Sequence, residues 1–131
     1  MSLDEVFGLA ETIFLARVES VEHTSFEWLA RADYELSVTE VLLGPDSLLG
    51  TRIDAFYTMD LPRAYIDSDG TEIWESPIVV GSGIEMSAAA GDTVVAIAYW
   101  QMEGHTLSLV RLEGMERLDE VSTLILMRDQ P

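Results

Sequence analysis

The sequence contains no cysteine, and that absence removes disulfides, thiolate nucleophiles, zinc ribbons and iron–sulfur clusters. Lysine is also missing: all seven basic residues are arginines, at positions 17, 31, 52, 63, 111, 117 and 128. A lysine Schiff base, a phosphate-loop lysine and a Ser–Lys dyad are therefore excluded. Positive charge is scarce and scattered, with 24 acids against those arginines and a formal net charge of −17. Nucleic-acid affinity rests on basic groups that displace phosphate counterions, so no nucleic-acid ligand is expected. Long apolar runs are absent too. The longest, Val94 to Trp100, spans seven residues, far short of the roughly 18 needed for a membrane helix. No charged-then-apolar leader opens the chain, and Met1-Ser2-Leu3 has the form of an expression-vector remnant. Exported and cytoplasmic locations both fit.

What is present is a core-forming chain. It has 131 residues, 48% of them hydrophobic, enough for one unstapled domain spanning 1–131. A short helix is expected over Asp4–Ala10, where Leu3, Val6, Phe7 and Ala10 recur at helical spacing behind a Ser2/Glu5 capping box. From Thr12 the period changes. Ile13-Phe14-Leu15-Ala16 is apolar on both faces and Arg17 to Glu22 is mixed, which predicts a strand covered on both sides only in its first half. His23-Thr24-Ser25 reads as a turn, and Phe26 to Ala30 as a ragged lead into the next strand.

Tyr34, Leu36 and Val38 alternate with Asp33, Glu35 and Ser37, a half-buried strand whose alternation slips at Glu40-Val41-Leu42, where a bulge is expected. Beyond Gly44-Pro45-Asp46, Ile53, Ala55 and Tyr57 take one face, and Arg52, Asp54 and Phe56 take the other. Ala64-Tyr65-Ile66 and Thr71-Glu72-Ile73-Trp74 flank Asp67-Ser68-Asp69-Gly70, a hairpin signature. Pro77 to Gly83 reads as strand and Gly-Ser-Gly loop, and Ile84-Glu85-Met86 as a short extended piece before the Gly91-Asp92 turn. Thr93 to Trp100 is a continuous apolar strand that turns at Gln101 to Gly104 into His105–Leu112, with Leu107, Leu109 and Leu112 inward. Leu118, Val121, Leu124 and Ile125 line one face of a closing helix over about Arg117–Met127.

Three segments also carry a likeness. Glu11-Thr12-Ile13-Phe14-Leu15-Ala16-Arg17-Val18, Val38-Thr39-Glu40-Val41-Leu42-Leu43-Gly44, and Ala90-Gly91-Asp92-Thr93-Val94-Val95 with the hairpin to Leu112 together resemble the OB-fold barrel of the netrin-like group. That group includes the tissue inhibitors of metalloproteinases, and the likeness covers roughly 90 residues. It implies a small OB-like barrel whose strand 2–3 face binds a ligand. The inhibitory mechanism of the animal members uses an N-terminal cysteine, so it does not carry over to this cysteine-free chain.

Candidate sites are few. Asp67 and Asp69 offer alternating carboxylates for a non-standard cation site, against the plainer reading of a hairpin turn. With Asp69-Gly70 as positions five and six of an EF-hand loop, Tyr65 and Ser76 would hold the first and last positions, so an EF-hand is excluded. Gly81-Ser82-Gly83 is followed by Ile84, where a nucleophile elbow needs another glycine. His23 and His105 are the only imidazoles available as bases. Tyr34, Tyr57 and Trp100 fall on apolar faces and are expected in the core, whereas Phe56, Trp74 and Trp28 are candidates for an exposed binding surface.

The expectation is a mainly β chain: one small OB-like barrel of five or six antiparallel strands, with a short N-terminal helix and a C-terminal helix. Its function is read as a non-catalytic binding domain for an unknown protein or cationic ligand, without cofactor, nucleic acid or membrane insertion. The alternative is a small Asp/Glu hydrolase assisted by a divalent cation.

Overall fold

The computed structural model describes residues 10–26, 28–60, 63–75, 83–84, 86–103 and 106–128. Among these residues seven strands and one α-helix follow in order: β1 (Thr12–Phe26), β2 (Leu29–Leu43), β3 (Arg52–Asp60), β4 (Arg63–Ile66), β5 (Glu72–Glu75), β6 (Thr93–Glu103), β7 (Thr106–Gly114) and α1 (Leu118–Arg128). Five strands close a barrel in the order β1-β2-β3-β7-β6, and β4 and β5 form a separate two-stranded sheet. The pairs β1–β2, β2–β3, β1–β6 and β6–β7 are antiparallel. The closing pair departs from the all-antiparallel expectation: Asp54–Phe56 of β3 run parallel to Thr106–Ser108 of β7. The chain reaches β7 only after β6 has crossed to β1, so β7 returns in the direction of β3.

Period-two patterning decides which side chains enter the barrel. Phe14, Ala16 and Val18 of β1 meet Ala32, Tyr34, Leu36 and Val38 of β2 and Ile53, Ala55 and Tyr57 of β3 inside. Val94, Ala96 and Ala98 of β6 and Leu107, Leu109 and Leu112 of β7 complete this core, and Leu48 and Ala88 join it from the connections. Tyr34 and Tyr57 are buried as expected. The side chain of Trp100 lies outside the described residues.

Where inward residues stand three apart instead of two, a bulge absorbs the extra residue. Val18 pairs with Leu36 and Ser20 with Glu35, so Glu19 is skipped between the inward Val18 and Val21. Thr39 and Leu42 are skipped on β2, the one just before the expected slip at Glu40-Val41-Leu42 and the other within it. Ala98 pairs with Leu109 and Ile97 with Arg111, so Val110 is skipped between Leu109 and Leu112. Each bulge bends its strand and sharpens its twist, which a barrel this small requires.

The first half of β1 is double-sided because its outer face is covered. Ile13 and Leu15 join Val95 and Ile97 of β6, Val110 of β7, Ala10 and Val121 of α1 in a second core outside the barrel, with Leu118, Leu124 and Ile125 packed against it. This is the helical face read from the sequence. A three-residue 3-10 turn, Met115–Arg117, carries the chain from β7 into α1.

Glycine matters most at Gly44. It sits at φ +123°, and a Cβ there would collide with Thr12 Oγ1, which donates to the Leu43 carbonyl at 2.8 Å. The Gly91-Asp92 turn fastens to the middle of β1: Gly91 N–H donates to the Val18 carbonyl and Val18 N–H to the Asp92 carbonyl, both at 2.8 Å.

Two expected turns are corrected. His23-Thr24-Ser25 is strand, because β1 pairs with β2 as far as Phe26↔Leu29. Likewise β6 runs through Gln101 to Glu103, with Met102 and Glu103 paired to Leu107 and Thr106. Around the first of these, Glu22 to Ser25 are all exposed, and such a run of polar residues leaves no period to read. The helix expected over Asp4–Ala10 and the strand and loop over Pro77–Gly83 lie outside the described residues, apart from Ala10 and Gly83.

Candidate binding face

Opposite α1, the outer side of β1, β2 and β3 is bare and polar. It holds a depression of about 550 Å3 lined by Ser20, Val21, Glu22, Asp33, Tyr34, Glu35, Asp54, Ala55 and Thr106. Tyr34, Ala55 and Val21 point into the barrel and contribute the floor; the others alternate with them and stand outward.

Register sets the electrostatics. Glu22 lies directly opposite Asp33, and Glu35 directly opposite Asp54. Like charges facing across antiparallel strands destabilise a sheet, at Cβ separations of about 5 Å. One member of each pair is neutralised. Arg31 forks onto Asp33, with Nε to Oδ1 and Oδ2 at 2.9 Å and Nη2 to Oδ1 at 2.8 Å. These hydrogen bonds raise the Arg31 pKa above the ordinary arginine value and hold it charged. Arg52 Nη1 lies 2.8 Å from Glu35 Oε1, while its Nη2 is 3.8 Å from Glu19. Glu19 also accepts from Ser37 Oγ at 2.9 Å.

The other member of each pair, Glu22 on β1 and Asp54 on β3, is exposed and has no hydrogen-bond or ion-pair partner among the described residues. Two strand spacings and two residues along the strand separate them, about 12 Å between Cα atoms. The face thus presents two uncompensated carboxylates astride a backbone-floored groove.

The residues singled out from the sequence are dispersed by the fold. Phe56 does stand outward, opposite Asp33, but it is half-buried because the Arg31 guanidinium lies 4.4 Å above its ring centroid. Trp28 is exposed at the β1–β2 hairpin end, about 17 Å along β2 from Asp33. Trp74 is exposed on β5 of the separate hairpin. Asp67 is engaged by the turn: its Oδ1 accepts from the N–H groups of Asp69 and Thr71, each at 2.9 Å, and Gly70 supplies the positive φ of +80°. That one carboxylate oxygen is the staple of the hairpin. No group of three or more His, Cys, Asp or Glu suited to a metal ion occurs among the described residues. His23 is exposed on β1, and Ser82 and His105 lie outside the described residues.

The sequence reading missed Glu22, Asp33, Glu35 and Asp54 as one group, and the arginines that answer them. Their signal was present as outward positions on three alternating strands, but only register joins them into rows. It also missed a buried ionic cluster on the covered side. Arg111 and Glu113 are 1% and 3% exposed. Their side chains approach to 3.4 Å, and Arg117 reaches the other Glu113 oxygen at 3.6 Å.

No protein-family model and no curated protein matches the chain.

Proposed function

We propose that this chain is a non-catalytic binding domain that receives a cationic ligand on the bare face of an OB-type barrel. The OB assignment is supported by the strand order β1-β2-β3-β7-β6. In OB barrels the outer face of the second and third strands is the usual ligand platform, flanked by the loop joining the first two strands and the one joining the last two. The depression lies on those strands here, with the β1–β2 and β6–β7 hairpins in the flanking places.

One observation carries the choice of ligand charge: Glu22 and Asp54 remain uncompensated, each directly opposite a second carboxylate. A fold without a ligand at that face gains nothing from two such rows. A cation between them relieves the repulsion and is drawn in by the net charge of −17.

Spermine is a suitable probe because its charges span such a distance with no apolar requirement. Calorimetric titration at 0.05 M salt is expected to show saturable binding that weakens steeply at 0.5 M. The double variant Glu22→Gln/Asp54→Asn is expected to lose it with an unchanged circular dichroism spectrum. Undiminished binding by that variant would remove the concave face from the reading.

A further inference from the structure

The β4–β5 hairpin stands apart from the barrel, and its side chains are out of keeping with so exposed a position. Four-residue strands that, among the described residues, pair with each other alone are marginal in water. Yet Ile66, Trp74 and Tyr65 on this hairpin are 66%, 65% and 45% exposed. The pairs Ala64↔Trp74 and Ile66↔Glu72 put Ile66, Glu72 and Trp74 on one face, while Tyr65↔Ile73 occupies the other. On that first face Ile66 and Trp74 are diagonal neighbours, about 7 Å apart and within reach of one another. Single exposed apolar residues are ordinary, but a contiguous indole and isoleucine held out by a stapled turn form a patch.

We propose that this hairpin docks a polypeptide segment of a partner protein in which arginine alternates with aliphatic residues. Three features select that occupant. First, Glu72 stands exposed on the face of the patch, Asp67 and Asp69 lie in the turn beside it, and the chain carries a net charge of −17. That field repels a second copy and an anionic lipid surface, and it attracts a basic segment. Second, the indole is the best π-face for a guanidinium. The protein already uses this chemistry internally, at Arg31 over Phe56, and Glu72 stands on the face of Trp74, two residues away, as a charge partner for the same cation. Third, among the described residues β4 and β5 pair only with each other, which leaves outer edges where an extended segment can add. An added strand presents every second side chain to one face, hence the alternation.

The surface is distinct from the concave face, and the two are tested apart. The probe is a fluorescein-labelled eight-residue peptide of alternating arginine and leucine, titrated by anisotropy with the whole chain at 0.15 M salt. Saturable binding is expected, weakened about tenfold by Trp74→Ala and about threefold by Glu72→Gln. The Glu22→Gln/Asp54→Asn variant should stay within about twofold of the parent. Because the hairpin lies outside the barrel, urea midpoints of the Trp74→Ala and Glu72→Gln variants should match the parent, which separates lost contact from lost fold. A glutamate–leucine peptide should not bind, and neither should vesicles of phosphatidylcholine with or without phosphatidylserine. Absence of peptide binding, indifference to Trp74→Ala, or loss only in the concave-face variant would overturn the proposal. So would vesicle binding, or a dimer in sedimentation that Trp74→Ala dissolves. Spermine binding retained by Trp74→Ala keeps a failure here distinct from a failure of the concave-face reading.

Discussion

The barrel has two outer faces that share one interior and differ in everything outside it. Under α1, the first half of β1 with β6 and β7 turns Ile13, Leu15, Val95, Ile97 and Val110 outward into a second core. On the far side, the second half of β1 with β2 and β3 turns out Glu22, Asp33, Glu35, Asp54, Arg31 and Arg52. One strand serves both, and the skipped Glu19 lies where its role changes. Each face also holds an exception. The apolar side buries the Arg111–Glu113 pair, and the polar side holds Phe56 beneath Arg31. The difference teaches that inward residues make the barrel, whereas outward residues decide what lies against it: a helix on the apolar side, and no described element on the charged one.

Substitution can break or sharpen that contrast. The largest effect belongs to the covered face. Ile97→Ala empties a fully buried site beneath α1 and is expected to cost about 3 kcal/mol in urea unfolding. A cost below about 1 kcal/mol would mean that the second core contributes little. Arg111→Met removes one partner of a buried ion pair and is expected to cost about 3 kcal/mol as well, since Glu113 stays buried. Neutral behaviour would show that Arg117 alone holds that carboxylate.

Gly44→Ala is expected to cost about 2 kcal/mol, from the unfavourable φ and the collision with Thr12. It tests the corner where β2 leaves the barrel. On the bare face the effects shrink and change sign. Phe56→Ala should cost about 1 kcal/mol, the loss of a half-buried ring and its cation. A loss of several kcal/mol would place that ring in a core instead. The Glu22→Gln/Asp54→Asn variant should gain a few tenths of a kcal/mol by relieving two like-charge pairs. Smallest of all, the melting temperature should rise between 0.05 and 0.5 M salt as the net charge is screened. A falling response would count against self-repulsion as a force on this fold.

Much of this contrast was legible in the residues. The double-sided Ile13-Phe14-Leu15-Ala16, the alternation of Tyr34, Leu36 and Val38, and the Leu118/Val121/Leu124/Ile125 stripe each predicted a face that the structure buries. The spacing of Leu107, Leu109 and Leu112 was read as core before the Val110 bulge explained it. What could not be read was adjacency between strands. Arg111 looked like one more polar residue on a strand, because only α1 and β6 lying against β7 make its position a buried one. Nor could Glu22, Asp33, Glu35 and Asp54 be seen as opposed pairs, since a shift of one residue in pairing would have matched them differently.

The chain's composition and its local periods determined that it folds as a mainly β domain without cysteine or lysine chemistry, strongly acidic, with a helix at its end. These are properties of single segments, set by which side chains can face apolar surroundings at intervals of two or near four. The tertiary structure alone decided that β7 closes on β3 in parallel, that one outer face is roofed and the other bare, and that two carboxylates are left unanswered there. Those facts depend on distances between residues far apart in sequence, and no one-dimensional pattern contains such distances.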